Sequence, residues 1–122
     1  MNIQELATAA ELDVDVKVLL MNNRALGLVQ QQQELFYGRR VYAARFDGAL
    51  DFVQIAHGFG LPAYDLGRAE DPRMALLQAF ARRGPCLIHA PIAARQHVYP
   101  MVPPGAANKD MIGGEADEPV HA

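Results

Sequence analysis

The sequence predicts an α/β fold, a three-layer parallel sheet covered by helices, and three observations predict it. Helical and extended segments alternate along the chain, as they do when helices connect parallel strands. The run Val16 to Met21 has almost no polar alternation, which is the pattern of a central parallel strand with both faces covered. A second apolar run, Cys86 to Ala90, follows the best-punctuated helix of the chain.

Asn2 can cap a first helix, with Glu5 as its capping-box partner and Ile3, Leu6, Ala7 and Ala10 recurring at helical spacing. Asp13-Val14-Asp15 ends it. The strand Val16 to Met21 then delivers Asn22-Asn23 to its carboxyl end. From Ala25 to Tyr37, apolar Leu28, Val29, Leu35 and Phe36 are interrupted by Gln30-Gln31-Gln32-Gln33. This reads as a helix lining a cleft, although a merely solvated helix fits the same pattern. Gly38 to Gly48 lacks a steady period and is expected to be an irregular surface loop, after which Leu50, Phe52, Val53 and Ala56 mark a helix ending near Gly58 to Gly60. Ala63 to Leu66 is a short strand. Asp71 and Pro72 hold N-cap and first-turn positions, Leu76, Leu77 and Phe80 form an apolar stripe, and Arg82-Arg83-Gly84-Pro85 closes the helix. Beyond the strand Cys86 to Ala90, the residues Pro91, Pro100, Pro103, Pro104 and Gly105 forbid long regular structure. Residues 1–112 are expected to form one partial domain. Residues 113–122, acidic and nearly free of apolar side chains, are expected to be disordered.

Composition agrees with a small globular domain: the chain has 122 residues, 51% hydrophobic and 20% charged. A net charge of -3 argues against nucleic acid as the main partner, because phosphate backbones are bound by clustered Lys and Arg. No apolar stretch is long enough to cross a bilayer and no signal-peptide pattern is present, so no membrane partner is expected and the chain reads as cytoplasmic. The single cysteine, Cys86, reads as a small buried apolar residue.

In an open α/β sheet, ligands gather beyond the carboxyl ends of the strands. An amide oxygen at Asn22-Asn23 can therefore face a phosphate or a metal ion there, although Asn is also a common turn residue. Other chemistry finds little support. His57, His89, His97 and His121 lack the spacing of a zinc site, there is no serine, and Cys86 lacks the glycines of a nucleophile elbow. Gly58-Phe59-Gly60 lacks the third glycine of a dinucleotide fingerprint and follows a helical pattern.

The text around the asparagine pair carries a resemblance. Met1 to Thr8, Val16 to Val29, Gln33-Glu34-Leu35-Phe36-Tyr37-Gly38, Asp51-Phe52-Val53 and His97-Val98-Tyr99-Pro100-Met101-Val102 together resemble the C-terminal, cofactor-binding domain of acetolactate synthase, a thiamine-diphosphate enzyme. The resemblance covers nearly the whole chain, and the last two long stretches favour this family over glyoxylate carboligase and sulfoacetaldehyde acetyltransferase. It implies the thiamine-diphosphate-binding fold, truncated at the N-terminus. The family's cofactor motif opens with Gly-Asp-Gly and closes with Asn-Asn, and this sequence has only the closing half. The opening half would lie a few residues upstream of Met1. Its absence would remove a strand beside Val16 to Met21 and leave an unpaired edge that favours self-association.

The resemblance also implies roles for particular residues. Asn23 and the main-chain carbonyl of Ala25 would hold the magnesium ion that bridges the diphosphate, with Gly27 and Leu28 beside the thiamine diphosphate and Val29 in the substrate pocket. Gln32 stands where biosynthetic members have a Trp that contacts the second substrate, and His89 stands where relatives have an acidic residue. The family's chemistry is decarboxylation of one 2-keto acid, such as pyruvate, and its addition to a second. The glutamate that activates the cofactor lies in a separate N-terminal domain, and the active site sits between two chains. Thiamine diphosphate and magnesium are therefore expected only with a missing partner segment. Partners follow from this: the N-terminal part or another subunit of a synthase, or a second copy of the chain. Alternatively, the chain is a non-catalytic interaction module of the same fold.

Overall fold

The computed structural model describes residues 2–48, 50–94 and 97–113. They form two compact units, one of Met1–Asn23 with Asp47–Ala93 and one of Arg24–Phe46 with Ala94–Ala122. The tail expected to be disordered lies, beyond Gly113, outside the described residues.

The first unit is the sheet. Its elements are helix α1 (Glu5–Glu11), strand β1 (Lys17–Asn22), helix α3 (Phe52–Gly58), strand β2 (Ala63–Asp65), helix α4 (Pro72–Ala81) and strand β3 (Cys86–Pro91). The helix α2 (Gly27–Phe36) belongs to the second unit. The three strands among the described residues are parallel in the order β1-β3-β2, with Val18 and Ala63 flanking Leu87 in register. Alternation along β3 sends Leu87 to one face and Ile88 to the other. Leu87 joins Leu6, Ala56 and Leu61 under α1 and α3, whereas Ile88 joins Cys86 and Ala79 under α4. The three layers are those the sequence predicts.

The central strand is β3. The expectation that Val16 to Met21 would be covered on both faces is corrected, because β1 lies at the sheet edge and alternates: Leu19 is 47% and Met21 57% exposed. Those two side chains share a face with Ile88, but α4 packs on β2 and β3. An apolar run identifies a strand; it does not say whether a helix covers it.

Capping shows one success and one failure. Asp71 caps α4 by accepting from the Met74 N–H at 3.0 Å, and Pro72 occupies the first turn. Gly84 follows with φ +79°, in the left-handed region that glycine adopts without strain. Asn2 does not cap α1. The N-cap is Gln4 with no side-chain bond, and Asn2 sits in a preceding turn at φ 53°, its carbonyl accepting from the Glu5 N–H. A local turn has displaced the expected capping box. The predicted stripe on α4 is corrected in part: Leu76 packs against the core beside the buried Ala79, but Leu77 and Phe80 are 53% and 58% exposed.

In the second unit, α2 starts at Gly27 and ends at Phe36, two residues later and one earlier than expected. Of its four glutamines only Gln32 is exposed. Gln31 is 1% exposed, donates through Nε2 to the Val98 carbonyl at 2.8 Å and accepts the Val98 N–H at 2.9 Å. Gln33 does the same to Tyr42, at 3.0 and 3.1 Å. A side-chain amide carries the same donor and acceptor as a peptide group, so each glutamine pairs with both the N–H and the C=O of one loop residue. The loop Gly38 to Gly48 has no helix or strand, as expected, but Leu26 N–H to Ala44 C=O at 2.8 Å and Phe46 N–H to Arg24 C=O at 2.9 Å tie it to the segment before α2. A short 3-10 turn at Asn108–Asp110 and a bridge between Met101 and Ile112 complete this unit. No helix among the described residues is long and apolar enough to cross a membrane.

Candidate functional site

The carboxyl ends of the three strands meet in a polar row. Register places Leu20, His89 and Asp65 side by side, and Asn22, two residues beyond Leu20, points to the same face. His89 Nε2 lies 3.0 Å from Asn22 Nδ2, and His89 Nδ1 lies 3.2 Å from Asp65 Oδ1. An amide nitrogen donates, so Asn22 Nδ2 presents a hydrogen to Nε2, while Nδ1 faces the Asp65 carboxylate. The side chains of His89 and Asp65 are 14% and 15% exposed, and the Phe52 ring packs 5.7 Å from the imidazole. Arg68 continues the row to Asp65 at 3.5 Å and Asp51 at 3.4 Å. The Gln54 N–H that Asp51 caps, together with Arg68, holds the Asp51 carboxyl below its usual range.

This row fixes the strand end. Asn22 is held through its side chain by His89 and through its carbonyl by the Ile92 N–H at 3.0 Å. Asn23 follows directly, half-buried, at the place where sheets of this class receive ligands. The chain then turns at Arg24, whose φ of 56° lies in the left-handed region. Such backbone costs about 1–3 kcal/mol for a residue other than glycine and concentrates at functional sites.

The remaining sequence-predicted residues belong to the second unit. Ala25 pairs with Arg45 in an antiparallel bridge, and Gly27 opens α2. Leu28 is 58% exposed. Val29 and Gln32 are brought together: with Gln33, Tyr37 and Arg40 they line a cavity of about 460 Å³, within the size range of small-molecule sites.

Asn23 and Ala25 do not by themselves make a magnesium site. The ion takes near-octahedral oxygen ligation and is held by one or two carboxylates plus phosphate. Among the described residues, no group of three His, Cys, Asp or Glu stands together as a metal site. One amide and one carbonyl oxygen are suitable hard donors but leave the ion without its charged ligand.

Sequence reasoning missed the His89–Asp65 pair, because register between β2 and β3 is not written in either strand alone. It also missed Glu34 and His97, which lie 3.0 Å apart in the second unit. The helical spacing of Gln30 and Glu34, joined by a 2.8 Å hydrogen bond, was the available signal for the first of them. Cys86 is buried as expected, its thiol pushed up by desolvation and directed at the Ala79 carbonyl.

Comparison with known proteins gives a consistent result. The family model described as the thiamine pyrophosphate enzyme, C-terminal TPP binding domain, matches residues 1–90. The chain is 58% identical over 113 residues to the acetolactate synthase isozyme 1 large subunit of Escherichia coli K12, covering 93% of this chain and 20% of that one. It is 40% identical over 114 residues to the acetolactate synthase large subunit of Pyropia yezoensis, covering 93% and 19%. The chain thus spans about a fifth of the length of these curated relatives. Benzoylformate decarboxylase from Polynucleobacter necessarius is similar in fold, with a TM-score of 0.65 and 23% identity over 75% of this chain and 17% of that one.

Proposed function

From the premise that this chain belongs to the family of C-terminal thiamine-pyrophosphate-binding domains of thiamine pyrophosphate enzymes, we propose that it is the cofactor-binding part of a 2-keto-acid carboligase of the acetolactate synthase kind. The observation that carries this reading is the 58% identity to a synthase large subunit over nearly the whole chain. The geometry supports it: a half-buried Asn23 stands at a strand end braced by Asn22, His89 and Asp65.

Bound thiamine diphosphate would supply the decarboxylation and carbon–carbon bond-forming chemistry. The chain's own part is to hold and orient. Asn23 and the Ala25 carbonyl offer two oxygen donors to the magnesium of the diphosphate, Gly27 and Leu28 border the cofactor, and Val29 and Gln32 border the 2-keto acid, pyruvate being the simplest. The charged ligand and the activating glutamate come from further polypeptide, in the cytoplasm, either another segment of a synthase or a partner subunit. Isolated, the chain is inactive.

Calorimetric titration with thiamine diphosphate and Mg²⁺ tests this. The chain alone should show no binding below about 1 mM. Mixed with a polypeptide carrying the Gly-Asp-Gly segment and the N-terminal domain of a synthase, it should bind about 100-fold or more tighter. Equal titrations with and without that polypeptide would refute the reading. The second reading, an interaction module without catalysis, draws on the exposed Leu19 and Met21 at the β1 edge. It requires a stable oligomer that no cofactor perturbs.

A further inference from the structure

The second unit contains a second cavity, of about 930 Å³, which shares no lining residue with the Val29–Gln32 cavity. Glu34 and Leu35 of α2, Arg39, Val41 and Arg45 of the following loop, and the His97–Tyr99 segment form its wall. Its only carboxylate among those residues is already satisfied. Glu34 Oε1 accepts from Gln30 Nε2 at 2.8 Å and faces Arg45 at 3.4 Å, while Oε2 lies 3.0 Å from His97 Nε2. His97 Nδ1 in turn lies 3.3 Å from the Tyr99 hydroxyl.

Arg39 is left over. Arg39 lines the cavity and its guanidinium has no hydrogen-bond or ion-pair partner among the described residues, whereas the neighbouring Arg40 is occupied with the Tyr37 carbonyl at 3.1 Å. The backbone presents it: Arg39 sits at φ 59°, left-handed, and its carbonyl accepts the Val41 N–H at 3.1 Å, so this tight turn brings Arg39 and Val41 to the same wall. Glu34 balances Arg45, so the cavity keeps the positive charge of Arg39, while Leu35 and Val41 give it an apolar side.

We propose that this cavity is a binding site for a small organic carboxylate with a short aliphatic body. A guanidinium fork matches a carboxylate in two parallel hydrogen bonds, which a lone ammonium cannot do. Arg39 takes the carboxylate, Arg45 and the Tyr99 hydroxyl flank it, and Leu35 with Val41 takes the aliphatic chain. The site does not depend on thiamine diphosphate and so is separable from the function proposed above.

Butyrate titrated into the intact chain, followed by amide chemical shifts, tests the site. Saturable shifts are expected at Arg39, Val41, Arg45 and Tyr99, in the millimolar range proper to so small a ligand. Arg39→Ala should weaken binding at least 10-fold, Arg39→Lys should recover only part of the loss, and Arg82→Ala, at the C-cap of α4 in the first unit and not among the cavity's lining residues, should leave it unchanged. Inorganic phosphate should bind at least 5-fold more weakly, because it makes no use of Leu35 and Val41. Shifts that fail to saturate, an unchanged affinity in Arg39→Ala, or phosphate binding as tightly as butyrate would overturn the proposal. Should Arg39→Ala disturb the fold, Val41→Thr, which keeps the shape and removes the apolar character, should still lower butyrate affinity relative to phosphate; an unchanged ratio would equally overturn it.

Discussion

Replacing Asn23 by Ala in a complex with a polypeptide carrying the Gly-Asp-Gly segment should weaken thiamine diphosphate–Mg²⁺ binding by about 100-fold. That factor corresponds to about 2.7 kcal/mol. The size follows from the site's poverty. Magnesium seeks six oxygen ligands, and on the proposed reading this chain offers an amide at Asn23 and a carbonyl at Ala25, so removing one would leave half of the chain's contribution. Even groups that only support a metal ligand are worth 10–100-fold, and a direct donor belongs at the top of that range. Asn23→Asp, which keeps an oxygen in place and adds charge, should stay within about 10-fold of the natural chain. The position is half-buried at a strand end, so both variants should keep the natural far-ultraviolet spectrum. Calorimetric affinities for Asn23→Ala equal to those of the natural chain would remove Asn23 from the site.

Ile88→Ala should be the most damaging apolar truncation in the sheet. Ile88 is fully buried on the central strand, between Cys86 and Ala79 and against Leu66, Leu76 and Tyr64. Deleting its three outer carbons loses their transfer free energy and leaves a void that a layer held on both sides cannot close, at a cost of about 3–4 kcal/mol. Against a total of about 5–15 kcal/mol for an ordinary domain, the ratio of folded to unfolded chain falls by roughly 140- to 720-fold. Phe80→Ala is the informative control. Phe80 is the larger side chain and belongs to the apolar stripe seen in the sequence, yet it is 58% exposed, so its loss should cost under about 1 kcal/mol. Urea unfolding of the two variants decides the matter, and a larger loss for Phe80→Ala would mean that α4 buries a different face.

These two positions mark where sequence reasoning succeeds and stops. The strands at 17–22 and 86–91 and the helix at 72–81 were legible because apolar runs and the signals Asp71-Pro72 and Gly84-Pro85 are local. Which strand is central was not, because coverage depends on where distant helices pack; β1 and β3 look alike as sequence, yet β3 is buried through Ile88 and β1 alternates. The strand-end position of Asn22-Asn23 could be read from the run before it. Its bracing could not, since Asn22, His89 and Asp65 come from three strands and meet only through register. The glutamine run left two readings open for a related reason: a polar side chain cannot be told from a solvated one until its partner is known, and the partners of Gln31 and Gln33 are the backbones of Val98 and Tyr42.

The most direct measurement is acetolactate formation from pyruvate, with thiamine diphosphate and Mg²⁺ in excess, by this chain, by the complementary polypeptide carrying the Gly-Asp-Gly segment and the activating glutamate, and by the two together. The account predicts product from the mixture and none from either alone. Acetolactate from the chain by itself, or none from any folded mixture, would contradict it.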